Sequence, residues 1–158
     1  MREIKLTIDG KEFQLTEEQV KMLGFERTNP FEKVDGGGSY YFINNYANIN
    51  EDSRDDDLLL NTVNYFNDKA FANQVALNQL LYRKLLKFSY DNRFEDTVWN
   101  NKNNHWYIYY NYVADCFDCQ CNDSFKSQSV YFSSQGAANR AICEVVMPFV
   151  KEHPEFVW

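Results

Sequence analysis

The chain is poor in the residues that mark a catalytic site. It holds two histidines, His105 and His153, and neither sits in a recognisable constellation. Its triple glycine, Gly36 to Gly38, is followed by neither Lys-Ser nor Lys-Thr, so it is not a phosphate-binding loop. No G-x-S-x-G nucleophile elbow is present. Carboxylate pairs alone are too common to carry a catalytic claim. Cations are scarce as well: 16 Lys and Arg stand against 23 Asp and Glu, for a net charge of −7. That balance disfavours a conventional nucleic-acid binder, whose cations must neutralise phosphates. It suits a protein that docks on a basic surface. Missing too is any apolar run of the roughly 18–20 residues a bilayer span needs. The alternating, charged start MREIKLTIDGKEF does not read as a signal peptide. A bacterial cytoplasmic setting with reduced cysteines and no cofactor is expected.

What is present is a repeat. NTVNYFNDKAFANQ, Asn61 to Gln74, aligns without a gap with SQSVYFSSQGAANR, Ser127 to Arg140, 66 positions later. The same offset carries Tyr40-Tyr41-Phe42 onto Trp106-Tyr107-Ile108 and Asn45-Tyr46 onto Asn111-Tyr112. One offset shared by separated matches means two copies of one supersecondary unit. The expected fold is therefore α+β, a duplicated β-β-α unit sharing one antiparallel sheet with both helices on one face. The repeats span 40–90 and 106–151 within a domain of 40–158, after an N-terminal element of 1–24 and a linker of 25–39.

Local signals fill in this plan. Asp9-Gly10 between two alternating runs predicts a hairpin. Thr16 with Gln19 predicts a capping box and a short helix that turns Val20 and Leu23 inward and stops at Gly24. In each repeat a strand (Tyr40 to Tyr46, Trp106 to Tyr112) should lead through a polar stretch to a return strand (Leu58 to Phe66, Gln128 to Phe132). Asn67 and Ser133 should then cap long helices. Leu77, Leu80, Leu81, Leu85 and Phe88 form one buried stripe, and Ala138, Ala141, Ile142, Val145 and Phe149 the other. Pro148 should kink or end the second helix. A polar loop with one extra turn near Trp99 joins the repeats, and the apolar tail Phe156-Val157-Trp158 should dock.

Three groups of side chains are candidate sites. Cys116, Cys119 and Cys121 with Cys143 offer a zinc-like spacing, but a second C-x-x-C is missing, and they read as ordinary thiols without metal. The acidic run Glu51, Asp52, Asp55, Asp56 and Asp57 lacks the glycine and closing glutamate of a calcium loop. Together with Asp115, Asp118 and Asp123 it is the candidate partner-binding surface. Strand alternation puts Trp106, Ile108 and Tyr110 on one face and Tyr107, Tyr109 and Asn111 on the other. Tyr107 and Tyr109 are thus a candidate aromatic surface, which would suit base stacking if a basic groove accompanied it.

The segments IKLTIDGKEFQLTEEQVKMLG, TNPFEKV with YYFI, NYFNDKAFANQVALNQLLYRKLLKF and YFSSQGAANRAI together resemble small proteins encoded by phages and prophages of Firmicutes. Inhibitors of bacterial defence, anti-CRISPR proteins among them, are of this kind. The resemblance implies a non-catalytic protein that covers the basic nucleic-acid-binding surface of a defence nuclease such as a CRISPR effector. The alternatives are an accessory protein for single-stranded nucleic acid and a nucleotide-signal trap between the two copies, or in a homodimer.

Overall fold

The computed structural model describes residues 5–8, 10–23, 29–34, 38–54, 57–94, 105–124 and 126–158. Gly24, Gly36, Gly37, Asp55, Asp56 and the turn expected near Trp99 lie outside the described residues. The fold is α+β, with two β-β-α-like units preceded by a hairpin and a short helix.

Strand β1 (Lys5–Ile8) pairs with β2 (Lys11–Gln14) across Gly10, whose φ of 76° suits a residue without Cβ. Helix α1 (Glu17–Met22) starts with the expected capping box. The Thr16 N–H donates to Gln19 Oε1 at 2.9 Å, and the Gln19 N–H to Thr16 Oγ1 at 3.3 Å. Val20 is buried, but Leu23 lies beyond the last turn and is exposed, contrary to expectation.

In the first unit β3 (Tyr40–Ile43) pairs with β4 (Ile49–Asp52). A short helix α2 (Asp57–Asn61) follows, and then the long helix α3 (Lys69–Asp91). In the second, β5 (His105–Asn111) pairs with β6 (Cys116–Asn122) and leads to α4 (Gln135–Ala141). A π-helical turn, Ile142–Val146, continues into α5 (Met147–Glu152). The return strand is thus the stretch read from the sequence as polar turn. The segments read as return strands supply one paired residue each, Phe66 against Tyr41 and Phe132 against Trp106. Nor is there one shared sheet among the described residues: β1-β2, β3-β4 and β5-β6 are three separate two-stranded ladders. One bridging pair in each unit ties the hairpin to the chain that enters its helix.

Sequence and structure also align the repeats differently by one residue. Bridge positions make Tyr41 equivalent to Trp106, an offset of 65, while Phe66 and Phe132 keep 66. The matched-letter pairing of Tyr40 with Trp106 is therefore one residue out of register, which on a strand exchanges faces. Burial agrees: Tyr40 and His105 are both buried, each beside the tyrosine before its bridge, Tyr65 and Tyr131. Each of these tyrosines accepts a main-chain N–H through its hydroxyl, Tyr65 that of Val34, before β3, at 3.0 Å and Tyr131 that of Ser127, after β6, at 2.8 Å.

The helices form as their patterns predict, with each cap one residue later than expected. Asp68 accepts from the Ala70 and Phe71 N–H groups, and Ser134 from the Ala137 N–H. Leu77, Leu81 and Leu85 of α3 meet Ala138, Ala141, Ile142, Val146 and Phe149 in one core. Close approach of the helices is permitted by the small residues Ala137, Ala138 and Ala141. Pro148 neither ends nor breaks the second helix. The Met147 N–H reaches back to the Ile142 carbonyl, and Pro148 falls in the first turn of α5, where its missing N–H is tolerated. The tail docks: Gln74 binds the main chain of Glu155 and Val157, Phe156 packs on Phe149, and Trp158 meets Phe117 edge-on at 4.9 Å.

Phe66 and Phe132 are both 1% exposed, and each closes the main-chain bridge of its unit. Phe132→Ala should cost about 3–5 kcal/mol in a urea titration, whereas the cap change Asp68→Ala should cost about 1 kcal/mol. Equal losses would mean that the bridges do not hold the units together.

Candidate acidic interface

The described carboxylates of the acidic run and of the second repeat's polar stretch stand on the two hairpins and at the start of α2. In the first, Asn44 Oδ1 accepts from the N–H groups of Tyr46 and Asn48 and shapes the turn; Ala47 there takes a left-handed φ of 63°. Glu51 and Asp52 lie on β4 and Asp57 opens α2, so this acidic stretch is not a free loop. Asp52 is held by Arg54, whose guanidinium bonds keep its carboxyl far below the usual carboxylate range. Asp57 pairs with Lys33 at 3.5 Å. Both pairs are solvent-facing and worth little to stability. They do lower the net acidity of this edge, leaving Glu51 exposed and without an ion pair among the described residues.

The second hairpin is more strongly acidic. Asn111 Oδ1 accepts from the Val113 and Ala114 N–H groups at 3.0 and 3.1 Å, and Asp115 closes the turn with φ 53°. Asp115 accepts the Tyr110 hydroxyl. Asp118 sits directly across from Tyr109 on the ladder, accepts its hydroxyl at 3.2 Å, and accepts the Cys119 N–H at 2.7 Å. Asp123 accepts the Ser124 hydroxyl at 2.7 Å in the bend after β6. All three aspartates are exposed, and none makes an ion pair among the described residues. The neighbouring phenols register the charge: the Asp115 bond pushes Tyr110 up, and desolvation followed by the Asp118 bond pushes Tyr109 up.

The expected aromatic surface takes a different form. Strand alternation holds, with Trp106 and Ile108 packed on the core and Tyr107 beside Tyr109 on the other face. That face is not open, however. Tyr131 covers its start, edge-on to Tyr107 at 6.3 Å, and both tyrosines are half-buried. The freely exposed apolar groups are instead at the hairpin tips: Tyr46 at 85% exposure in the first, Tyr112 at 81% and Val113 at 98% in the second. Sequence reasoning placed Tyr46 and Tyr112 at strand ends. The recurrence of Asn-Tyr at Asn45-Tyr46 and Asn111-Tyr112 was the signal, since asparagine before an aromatic at both copies marks a turn tip as readily as a strand end.

The cysteines separate rather than converge. Spacing by three on a strand puts Cys116 on the opposite face from Cys119, and Cys121 shares the Cys119 face. Cys119 is buried, its thiol bonded to Asn139 Oδ1 at 3.3 Å, while Cys116, Cys121 and Cys143 are exposed. No group of metal-ligating side chains occurs among the described residues. Burial, with Asp118 and Cys121 adding to it, pushes the Cys119 thiol up. Iodoacetamide at mildly alkaline pH should therefore label Cys116, Cys121 and Cys143 quickly and Cys119 only on unfolding, as peptide mass mapping would show. Rapid labelling of Cys119 in the native protein would contradict its burial.

No helix among the described residues is long and apolar enough to cross a membrane. No family model, curated protein or solved structure matches the chain.

Proposed function

We propose that the protein is a non-catalytic binding protein whose second hairpin docks on a basic surface of a partner. The observation that carries this reading is the arrangement along that hairpin: Tyr112 and Val113 are exposed at the tip beside Asp115, Asp118 lies part-way along β6 and Asp123 follows its far end, and none of the three carboxylates makes an ion pair among the described residues. An exposed aromatic can act as the anchor of an interface, and surrounding charge steers association and selects the partner. Glu51 and the Tyr46 tip offer a weaker version on the first hairpin, diluted by Arg54 and Lys33. A basic groove that normally holds nucleic acid is the natural complement. With the resemblance to small phage proteins, the target class is a bacterial defence nuclease of the CRISPR effector type. The partner-facing residues, Asp55 and Asp56 excepted, are then those named from the sequence, with the tip residues added.

A stacking platform for single-stranded nucleic acid fits less well. Tyr107 is packed under Tyr131, and Tyr109 is bonded to a carboxylate that a phosphate backbone would have to approach.

The test is inhibition of target-DNA binding by a panel of purified RNA-guided nucleases. The parent protein should block binding for one of them. Asp118→Lys with Asp123→Lys should slow association about tenfold at low salt and flatten its salt dependence. Tyr112→Ala with Val113→Ala should speed dissociation instead. Full inhibition by both double variants would remove the second hairpin from the interface, and no inhibition of any nuclease would remove the target class.

A further inference from the structure

The two units differ where the bridge ends, and the difference opens a groove. In the first unit the chain before Phe66 leaves β3, and the Asn64 side chain takes over the edge. Its Oδ1 accepts the Ile43 N–H and its Nδ2 donates to the Ile43 carbonyl, both at 2.9 Å. A side-chain carboxamide there does what a neighbouring strand would do. In the second unit the residue at the Asn64 position is Val130, two before the bridging Phe132, and the residue at the Ile43 position is Ile108, two after the bridging Trp106. The Trp106 N–H and carbonyl both bond Phe132, away from β6. Alternate residues of an antiparallel strand point their main-chain groups the same way, so those of Ile108 face the same side. Valine has no donor or acceptor to offer them.

That edge borders a groove of about 550 Å³ between β5, the 129–132 segment, α3 and the tail. Its walls are apolar, among them Leu81, Leu85, Phe156 and Trp158. Arg83 stands at its rim, exposed and with no ion pair among the described residues.

We propose that this groove binds an extended peptide segment of a partner protein, one carrying apolar residues and an acidic residue. The segment would add a short strand at Ile108, exchanging main-chain hydrogen bonds as Asn64 does at Ile43. Its apolar side chain fills the groove, a volume within the usual range of binding sites. Its carboxylate pairs with Arg83. The sister unit shows the group this edge takes, and Arg83, the one cation lining the groove among the described residues, selects the carboxylate.

The experiment is an amide-resonance titration of the ¹⁵N-labelled protein with the blocked peptide acetyl-Leu-Glu-Leu-Glu-Leu-amide. The expected result is a saturable shift centred on Ile108 and Tyr110. The lysine counterpart, acetyl-Leu-Lys-Leu-Lys-Leu-amide, and the variant Arg83→Glu with the first peptide should each bind about tenfold more weakly. Val130→Asn, which installs the missing carboxamide, should compete with the peptide and weaken it about tenfold. Hydrogen exchange of the free parent protein gives a check that needs no variant: the Ile43 amide should be protected and the Ile108 amide should exchange freely. Protection of Ile108 equal to that of Ile43, or no saturable shift at Ile108, would overturn the proposal. Undiminished binding to a folded Val130→Asn protein would do so as well.

Discussion

Everything in this fold hangs on a single residue pair in each unit. After its hairpin the chain returns to the first strand for one main-chain exchange, Phe66 with Tyr41 and Phe132 with Trp106, and then enters a capped helix. Two hydrogen bonds alone contribute little net stability, about 0.5–1.5 kcal/mol each. Their strength comes from what the same residues bury: both phenylalanine rings are enclosed, and the preceding tyrosines close the other face of the strand. The bridge therefore fixes where the helix starts relative to the strand. Helix-to-helix packing of α3 on the alanine-rich α4 follows from that placement, because both N-termini are set by the same local device.

Duplication reproduced this device but not its surroundings. Where Asn64 straps the edge of β3, Val130 joins the core, and Ser89 of α3 donates its hydroxyl to the Tyr131 carbonyl next to it. The second unit thus spends its return segment on the shared core, and the first spends it on its own sheet edge. The longer β5-β6 ladder compensates, with seven residue pairs against four in β3-β4. Both hairpins, long and short, carry an exposed tyrosine at the tip, Tyr112 and Tyr46, and the longer one adds the exposed Val113.

The sequence revealed the class of fold, the N-terminal hairpin and capping box, both helices and their buried stripes, because each rests on local periodicity or capping chemistry. It misplaced the return strands. Asn50 to Asp57 and Cys116 to Asp123 are rich in Asp and Asn, which weigh against strand, but pairing with an aromatic partner strand overrode that preference. Leu58 to Leu60, read as strand from their apolar run, form a short helix instead, since short apolar runs do not separate the two. The one-residue slip between copies was invisible for a related reason: aromatic residues fill consecutive positions at 40–42 and 106–107, so matching letters fit either register. Of the candidate surface, the aspartates of the second hairpin could be named from the sequence, and the repeat already set them apart from Glu51 and Asp52; that Glu51 and Asp52 lie on a strand could not be read, because Asp and Asn weigh against strand.

Charge placement ties these observations to a role. A net charge of −7 spread evenly would favour solubility and little else. Here the first hairpin and α2 have cations close to their acids, at Arg54 and Lys33, while the described part of the second hairpin, from β5 to Ser124, contains no lysine or arginine. Its carboxylates are bonded to phenols and main-chain N–H groups, contacts that orient them without cancelling their charge. Side chains oriented in advance lose less freedom when a partner arrives, and a field of one sign falls off more slowly than that of paired charges. Both hairpins project an aromatic, Tyr46 and Tyr112, but only in the second is the charge that accompanies it wholly uncancelled among the described residues, which supports the docking role proposed for that hairpin.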